Sequence, residues 1–112
     1  MKSELFVHGS NEYTIIIGKN KEDNFNIIDD AVDSDIWFHV DGEPSCHVIL
    51  KTEDKLKDIP KQVIKRCAYL CKINSKAKTQ KQCAVIYTPI SNVTKTEVVG
   101  QVAVGSYKSV NV

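Results

Sequence analysis

Long apolar runs are missing from this sequence. No stretch approaches the roughly 18 residues of a membrane span, and Met-Lys-Ser-Glu-Leu-Phe at the start is too polar for an export signal. The expected compartment is therefore the cytosol. Cys-x-x-Cys pairs are missing too: the four cysteines are Cys46, Cys67, Cys71 and Cys83, a spacing that argues against a zinc site. Without an export signal a disulfide framework has no oxidising compartment, so the thiols are expected to be reduced and structural. Cys67 and Cys71 stand at i and i+4, where a metal could bridge them, but both fall on the apolar side of a helix and there act as small hydrophobes. No metal or cofactor is expected. Repeats, low-complexity tracts and linkers are also absent, and 112 residues suffice for one core. Residues 1–112 are read as a single domain.

Acidic residues are scarce in the second half. Residues 61–112 carry eight lysines and Arg66 against Glu97 alone, a net +8, whereas residues 1–60 carry six lysines against thirteen acids, a net −7. The total of +1 conceals this asymmetry. It implies a basic surface for polyanions, the alternative being that the halves neutralise one another across the fold.

What is present is organised around Asp35 to Lys51. This stretch holds the only tryptophan, two of the three histidines and a turn segment, Asp41 to Cys46, between two β-rich runs. Alternation sends Ile36, Phe38 and Val40 to one face and Trp37 and His39 to the other, while His47, Ile49 and Lys51 alternate with Val48 and Leu50. An indole and an imidazole at i and i+2 form a candidate platform for an unpaired base, worth about 1 to 3 kcal/mol. The competing reading makes Trp37 a core anchor and the histidines partners of buried backbone. Catalysis by Cys46 and His47 is set aside, because adjacent strand residues point to opposite faces and no orienting third group is evident.

Upstream, Leu5 to His8 and Tyr13 to Ile17 flank Gly9-Ser10-Asn11 as a hairpin. Asn20 is placed to cap a short helix with Glu22 and Asp23 in its first turn and Phe25, Ile28 and Ala31 inward. Lys19 and Lys21 flank this glycine-to-helix junction and are candidate phosphate contacts, with Glu22 and Asp23 competing for the helix end.

Downstream, Ile59-Pro60 opens a longer helix reaching Asn74 or Ser75. Val63, Ile64, Cys67, Leu70 and Cys71 share one side, and Lys61, Lys65, Lys72 and Lys76 the other. With no acid between Lys61 and Lys81, no i, i+4 ion pair neutralises that stripe. Phosphates are the favoured partner, since Lys76, Lys78 and Lys81 extend the run and Lys95 adds to it. Cys83 to Thr88 reads as a buried strand ended by Pro89, and Val98 to Val104 and Tyr107 to Val112 as a closing pair about Gly105-Ser106. The expected fold is α+β, a mostly antiparallel sheet packed by one longer and one short helix.

An ordered set of motifs spans about residues 13 to 104: Gly18-Lys19-Asn20 with Asn24, Asp35 to Val40, His47 to Lys51, Ser75 to Lys78, Val85 to Pro89 and Gly100-Gln101-Val102. Together they resemble the NFACT-R (NFACT RNA-binding) domain, closest to its single-domain branch. The resemblance implies a non-catalytic domain that binds RNA, whether tRNA or ribosomal RNA of the large subunit, and a link to ribosome-associated quality control. Read with the charge pattern, phosphate contacts are expected at Lys61, Lys65, Lys72, Lys76, Lys78, Lys81 and Lys95, and base or sugar contacts at Trp37, His39 and His47. Lys19 and Lys21 form a second contact site that the shorter branch associates with DNA. Three departures stand out: these residues include neither the N-terminal domain and helical arms of the large members nor the coiled coil of the shorter branch, and Ser45 replaces the usual glycine before the histidine. The alternative function is docking on a ribosome-associated or coiled-coil protein through the acidic half.

Overall fold

A computed structural model describes residues 2–112. Strands β1 (Lys2–His8) and β2 (Asn11–Ile17) are joined by Gly9-Ser10, with His8 opposite Asn11 and Gly9 at φ +62°. A two-residue hairpin requires a left-handed backbone, which glycine adopts without strain. Helix α1 (Lys21–Asp29) follows, then β3 (Ile36–Val40), β4 (Val48–Lys51), helix α2 (Lys61–Ile73), β5 (Ala84–Pro89), β6 (Val93–Lys95), β7 (Val102–Val104) and β8 (Lys108–Asn111). The main sheet runs β1-β2-β4-β3-β5-β8 with every pairing antiparallel, so the β3–β4 hairpin lies at its centre. The fold is α+β, as the sequence pattern implies.

Period-two alternation decides which layer each residue enters. Ile36, Phe38, Val40, Val48 and Leu50 pack beneath Val63, Ile64, Cys67, Leu70 and Cys71 of α2. Trp37 and Ile49 emerge on the other face and pack with Ile27 of α1, Ile90 and the partly buried Val93, Val102 and Val104. Both faces of the sheet thus carry a packed layer. Within α1 the buried positions are Asn24 and Ile27; Phe25 and Ile28, expected inward, are only half-buried.

The closing hairpin expected about Gly105-Ser106 does not form. β7 pairs with β6 in a separate ribbon, and β8 pairs with β5 at the sheet edge. The chain separates the two strands at this point because the Gly105 N–H donates to the Asn92 carbonyl, 3.0 Å away, and the Thr88 hydroxyl donates to the Ser106 carbonyl at 2.8 Å.

Two polar clamps hold the layers. Arg66 on α2 forks onto Glu4 on β1, with Nε–Oε2 2.7 Å and Nη2–Oε1 2.6 Å, the bidentate geometry that makes guanidinium–carboxylate pairs strong. Asp35 is buried, accepts from the Val32 and Thr52 amides at 3.0 and 3.2 Å and pairs with Lys51. No helix among the described residues is long and apolar enough to cross a membrane.

Candidate nucleic-acid interface

At the end of the sheet where β2 and β3 finish and β4 begins lies an open cleft of about 1290 Å³. Five short segments wall it: Gly18 to Lys21, the rings of β3 and β4, the Gly42 to Cys46 turn, Asn74 to Lys76, and Val99 to Val102.

The first wall is fixed by a missing side chain. The Gly18 N–H donates to the His47 carbonyl at 2.9 Å, and the Asn24 Oδ1 accepts the His47 N–H at 3.1 Å. A Cβ on Gly18 would stand 2.2 Å from that same Asn24 oxygen. Gly18 and Asn24 thereby lock α1 to β4. The last wall depends on Gly100, which has φ +86° and where a Cβ would fall 2.6 Å from the Lys21 Cβ. Only glycine lets this loop approach the start of α1 so closely.

The end of α1 itself is filled by its own chain. Asn20 Oδ1 accepts the Asp23 N–H at 2.8 Å, and Asp23 Oδ2 accepts the Lys19 N–H at 3.2 Å. The competition anticipated from Asp23 is therefore realised, and the exposed residues Lys19 and Lys21 line the cleft. Opposite them, the Ser75 hydroxyl caps the 3-10 turn Lys76–Thr79 by accepting the Ala77 N–H at 3.1 Å. Ser45 pairs with Ser75 in an isolated bridge, accepts the Val40 N–H at 3.1 Å and donates to the Cys46 carbonyl at 2.9 Å. Its φ is not positive, so serine closes this turn without the glycine usual in the family motif.

Three rings form the floor. Trp37 and His39 are nearly parallel, 9° apart with centroids 5.7 Å apart, and His47 stands edge-on to both at 5.5 and 5.1 Å. The His39 Nδ1–H donates to the Val40 carbonyl at 2.6 Å, which leaves Nε2 as the acceptor of the neutral ring. Burial holds the His39 pKa below its ordinary value. His47, buried more deeply and facing His39, is pushed down to about 3. Trp37 and His47 are each 1% exposed. The Trp37–His39 platform expected from the sequence is thus corrected at Trp37: the indole is buried in the floor with His47, and His39 alone is half-exposed.

The basic stripe also needs correction. Lys61 and Lys65 are exposed on α2, away from the cleft. Lys72 is buried, its Nζ donating to the Lys81 and Val112 carbonyls at 3.3 and 3.2 Å. An amine whose hydrogen bonds go to the chain's own carbonyls is a structural tie, so Lys72 does not share the exposed stripe. Lys78 and Lys81 are exposed and do not line the cleft. Lys95 pairs with Asp29 and lies 5.2 Å from the Phe25 ring centre, fastening the ribbon to α1.

Of the sequence-derived candidates, the cleft thus gathers Lys19, Lys21, Trp37, His39, His47 and Lys76. It adds residues that the sequence did not single out, among them Lys2, Glu43 and Asn74. Lys2 is legible only once the hairpin register sets it opposite Ile17. The acidic residues Glu12, Glu53 and Asp54 line a shallow hollow with Asp35 and Lys51 at the other end of the sheet. Arg66–Glu4 and Lys95–Asp29 join the basic and acidic halves, while the cleft end keeps a lysine excess and the hollow end an acidic one.

Residues 2–111 match the family described as the NFACT protein RNA binding domain. The chain belongs to this family, and its class is that of an RNA-binding module. Coiled-coil domain-containing protein 25 of Mus musculus is 42% identical over 108 residues, covering 92% of this chain and 52% of that protein. Protein JLP2 of Saccharomyces cerevisiae is 37% identical over 92 residues, covering 77% of this chain and 44% of the relative. The chain thus spans about half the length of these relatives. Its fold also matches the C-terminal part of the fibronectin/fibrinogen-binding protein from Streptococcus suis, with TM-score 0.85, 24% identity and coverage of 100% of this chain and 45% of the other.

Proposed function

We propose that the cleft is the RNA-binding surface of a non-catalytic, cytoplasmic module whose ligand is tRNA or ribosomal RNA, in keeping with a role in ribosome-associated quality control. One observation carries this reading: the segments that mark the family converge here, and the cleft sets Lys2, Lys19, Lys21 and Lys76 against Glu43 as its one acid. Phosphates follow the lysines, and nucleoside contacts fall to the ring floor. Lys61, Lys65, Lys78 and Lys81 act as a second, longer-range basic field that draws the polyanion in.

Binding of labelled tRNA across a salt series tests this. The logarithm of the affinity is expected to fall against that of salt with a slope of about −2 to −3.6, as for three or four neutralised phosphates at ~0.7 to 0.9 each. A slope near zero removes the electrostatic basis of the proposal, and a matched DNA duplex that binds as tightly as tRNA shifts the reading to DNA.

The separated acidic end favours a second reading, docking on a ribosome-associated or coiled-coil protein. Capture of such a partner that survives nuclease treatment would mark it.

A further inference from the structure

Among the described residues, three buried side-chain polar atoms have no hydrogen-bond partner: Trp37 Nε1, His47 Nδ1 and Glu43 Oε2. All three belong to residues lining the cleft. Buried polar atoms are satisfied in the great majority of cases, and an unmet one carries an uncompensated desolvation cost. Their concentration in one place marks a site completed by a ligand.

The atoms also specify the ligand's chemistry. Trp37 Nε1 only donates, Glu43 Oε2 as a carboxylate oxygen accepts, and neutral His47 Nδ1 does either according to tautomer. A backbone phosphodiester has acceptors alone and cannot satisfy a carboxylate. A nucleoside presents ring nitrogens and carbonyls beside amino and hydroxyl groups, and so matches both kinds.

Access narrows the choice further. Trp37 and His47 are each 1% exposed and lie against the half-buried ring of His39. A paired base keeps its Watson–Crick edge inside the helix and cannot reach such a floor, whereas an unpaired nucleotide can be splayed into it.

We propose that the cleft receives one unpaired nucleotide, its base and sugar meeting the Trp37, His47 and Glu43 atoms and its flanking phosphates running along Lys19, Lys21 and Lys76. This rests on the RNA-binding reading and deepens it. His39 is the movable part: its ring shifts from Trp37 as the base enters, and the base takes up the parallel contact that the imidazole makes in the free chain.

The sole tryptophan reports on this directly. The parent is titrated with a single-stranded RNA hexanucleotide, a blunt RNA duplex with the same number of phosphates, and inorganic pyrophosphate, while Trp37 emission and affinity are followed together. The single strand is expected to quench or shift the emission and to bind about tenfold more tightly than the duplex, as one base stacked and hydrogen-bonded at this floor provides. Pyrophosphate should leave the emission unchanged. His39→Ala, at a half-exposed position, should fold and should alter the Trp37 emission change that the single strand produces. Equal affinity for strand and duplex with silent Trp37 would overturn the unpaired-nucleotide proposal while leaving the lysine-lined cleft as an RNA surface. If neither RNA binds, both readings fall.

Discussion

Changing Lys19, Lys21 and Lys76 together to glutamate is expected to weaken RNA binding at least about a hundredfold at moderate salt and to flatten the salt slope by roughly 2 to 3, since each phosphate contact contributes about one unit. Lys61 and Lys65 changed likewise should cost only a few-fold, through the weaker attraction of charges outside the cleft. The contrast follows from placement. Lys19, Lys21 and Lys76 line the same cleft as the ring floor, whereas Lys61 and Lys65 are exposed on α2 and do not line it. None of these five forms an ion pair among the described residues, so reversal breaks no internal clamp and loss of binding is not loss of fold. Lys72 is excluded from the set because it ties α2 to the Lys81 and Val112 carbonyls. The measurement is a fluorescence-anisotropy titration of each variant, with thermal melts as the folding control.

Acid is expected to destabilise the fold well before ordinary carboxylates titrate. Burial and the neighbouring His39 hold the His47 pKa at about 3 against 6.5. The folded chain therefore resists a proton that the unfolded chain accepts, so stability is full above the ordinary histidine range and declines as the pH drops. At 1.36 kcal/mol per unit, the loss at pH 5 relative to pH 7 is on the order of 2 kcal/mol. His39, depressed by burial, acts in the same direction. Glu4, held low by its hydrogen bonds from Arg66, contributes only at lower pH, near and beneath the usual carboxylate value. Urea unfolding at pH 7 and pH 5 checks this. The parent midpoint should fall between them, and the fall should be smaller in His47→Gln, whose amide takes no proton; equal loss in both would place the titrating group elsewhere.

Much of this architecture was legible because it depends on local pattern. Alternation at Ile36 to Val40 separated Ile36, Phe38 and Val40 from Trp37, and the apolar repeat from Val63 to Cys71 defined the buried side of α2. The cap at Asn20 and the start at Pro60 also lie where residue chemistry places them. What was not legible depends on partners distant in sequence. Nothing near Val102 or Lys108 reveals that their strands join β6 and β5 instead of each other. Helical periodicity put Lys72 with Lys61 and Lys65, yet the neighbouring Lys81 and Val112 segments close over it.

The candidate site was half visible for the same reason. Trp37, His39 and His47 stood out as rare rings in one hairpin, but their depth depends on layers contributed by α1 and the β6–β7 ribbon. The glycines at 18 and 100 carry the approach of whole segments, and their role appears only when Asn24 and Lys21 are seen against them. Cleft lysines 19, 21 and 76 come from two separate stretches that no sequence period connects.

The most direct test of the cleft as the RNA surface is amide-resolved NMR of the labelled chain, with and without a short single-stranded RNA. The account predicts that the largest shift changes fall on Gly18 to Asn24, His39, His47, Ser75-Lys76 and Gly100-Gln101, with the amides around Lys61 and Lys65 little moved. The largest changes along the exposed side of α2, with the cleft amides unmoved, would contradict it.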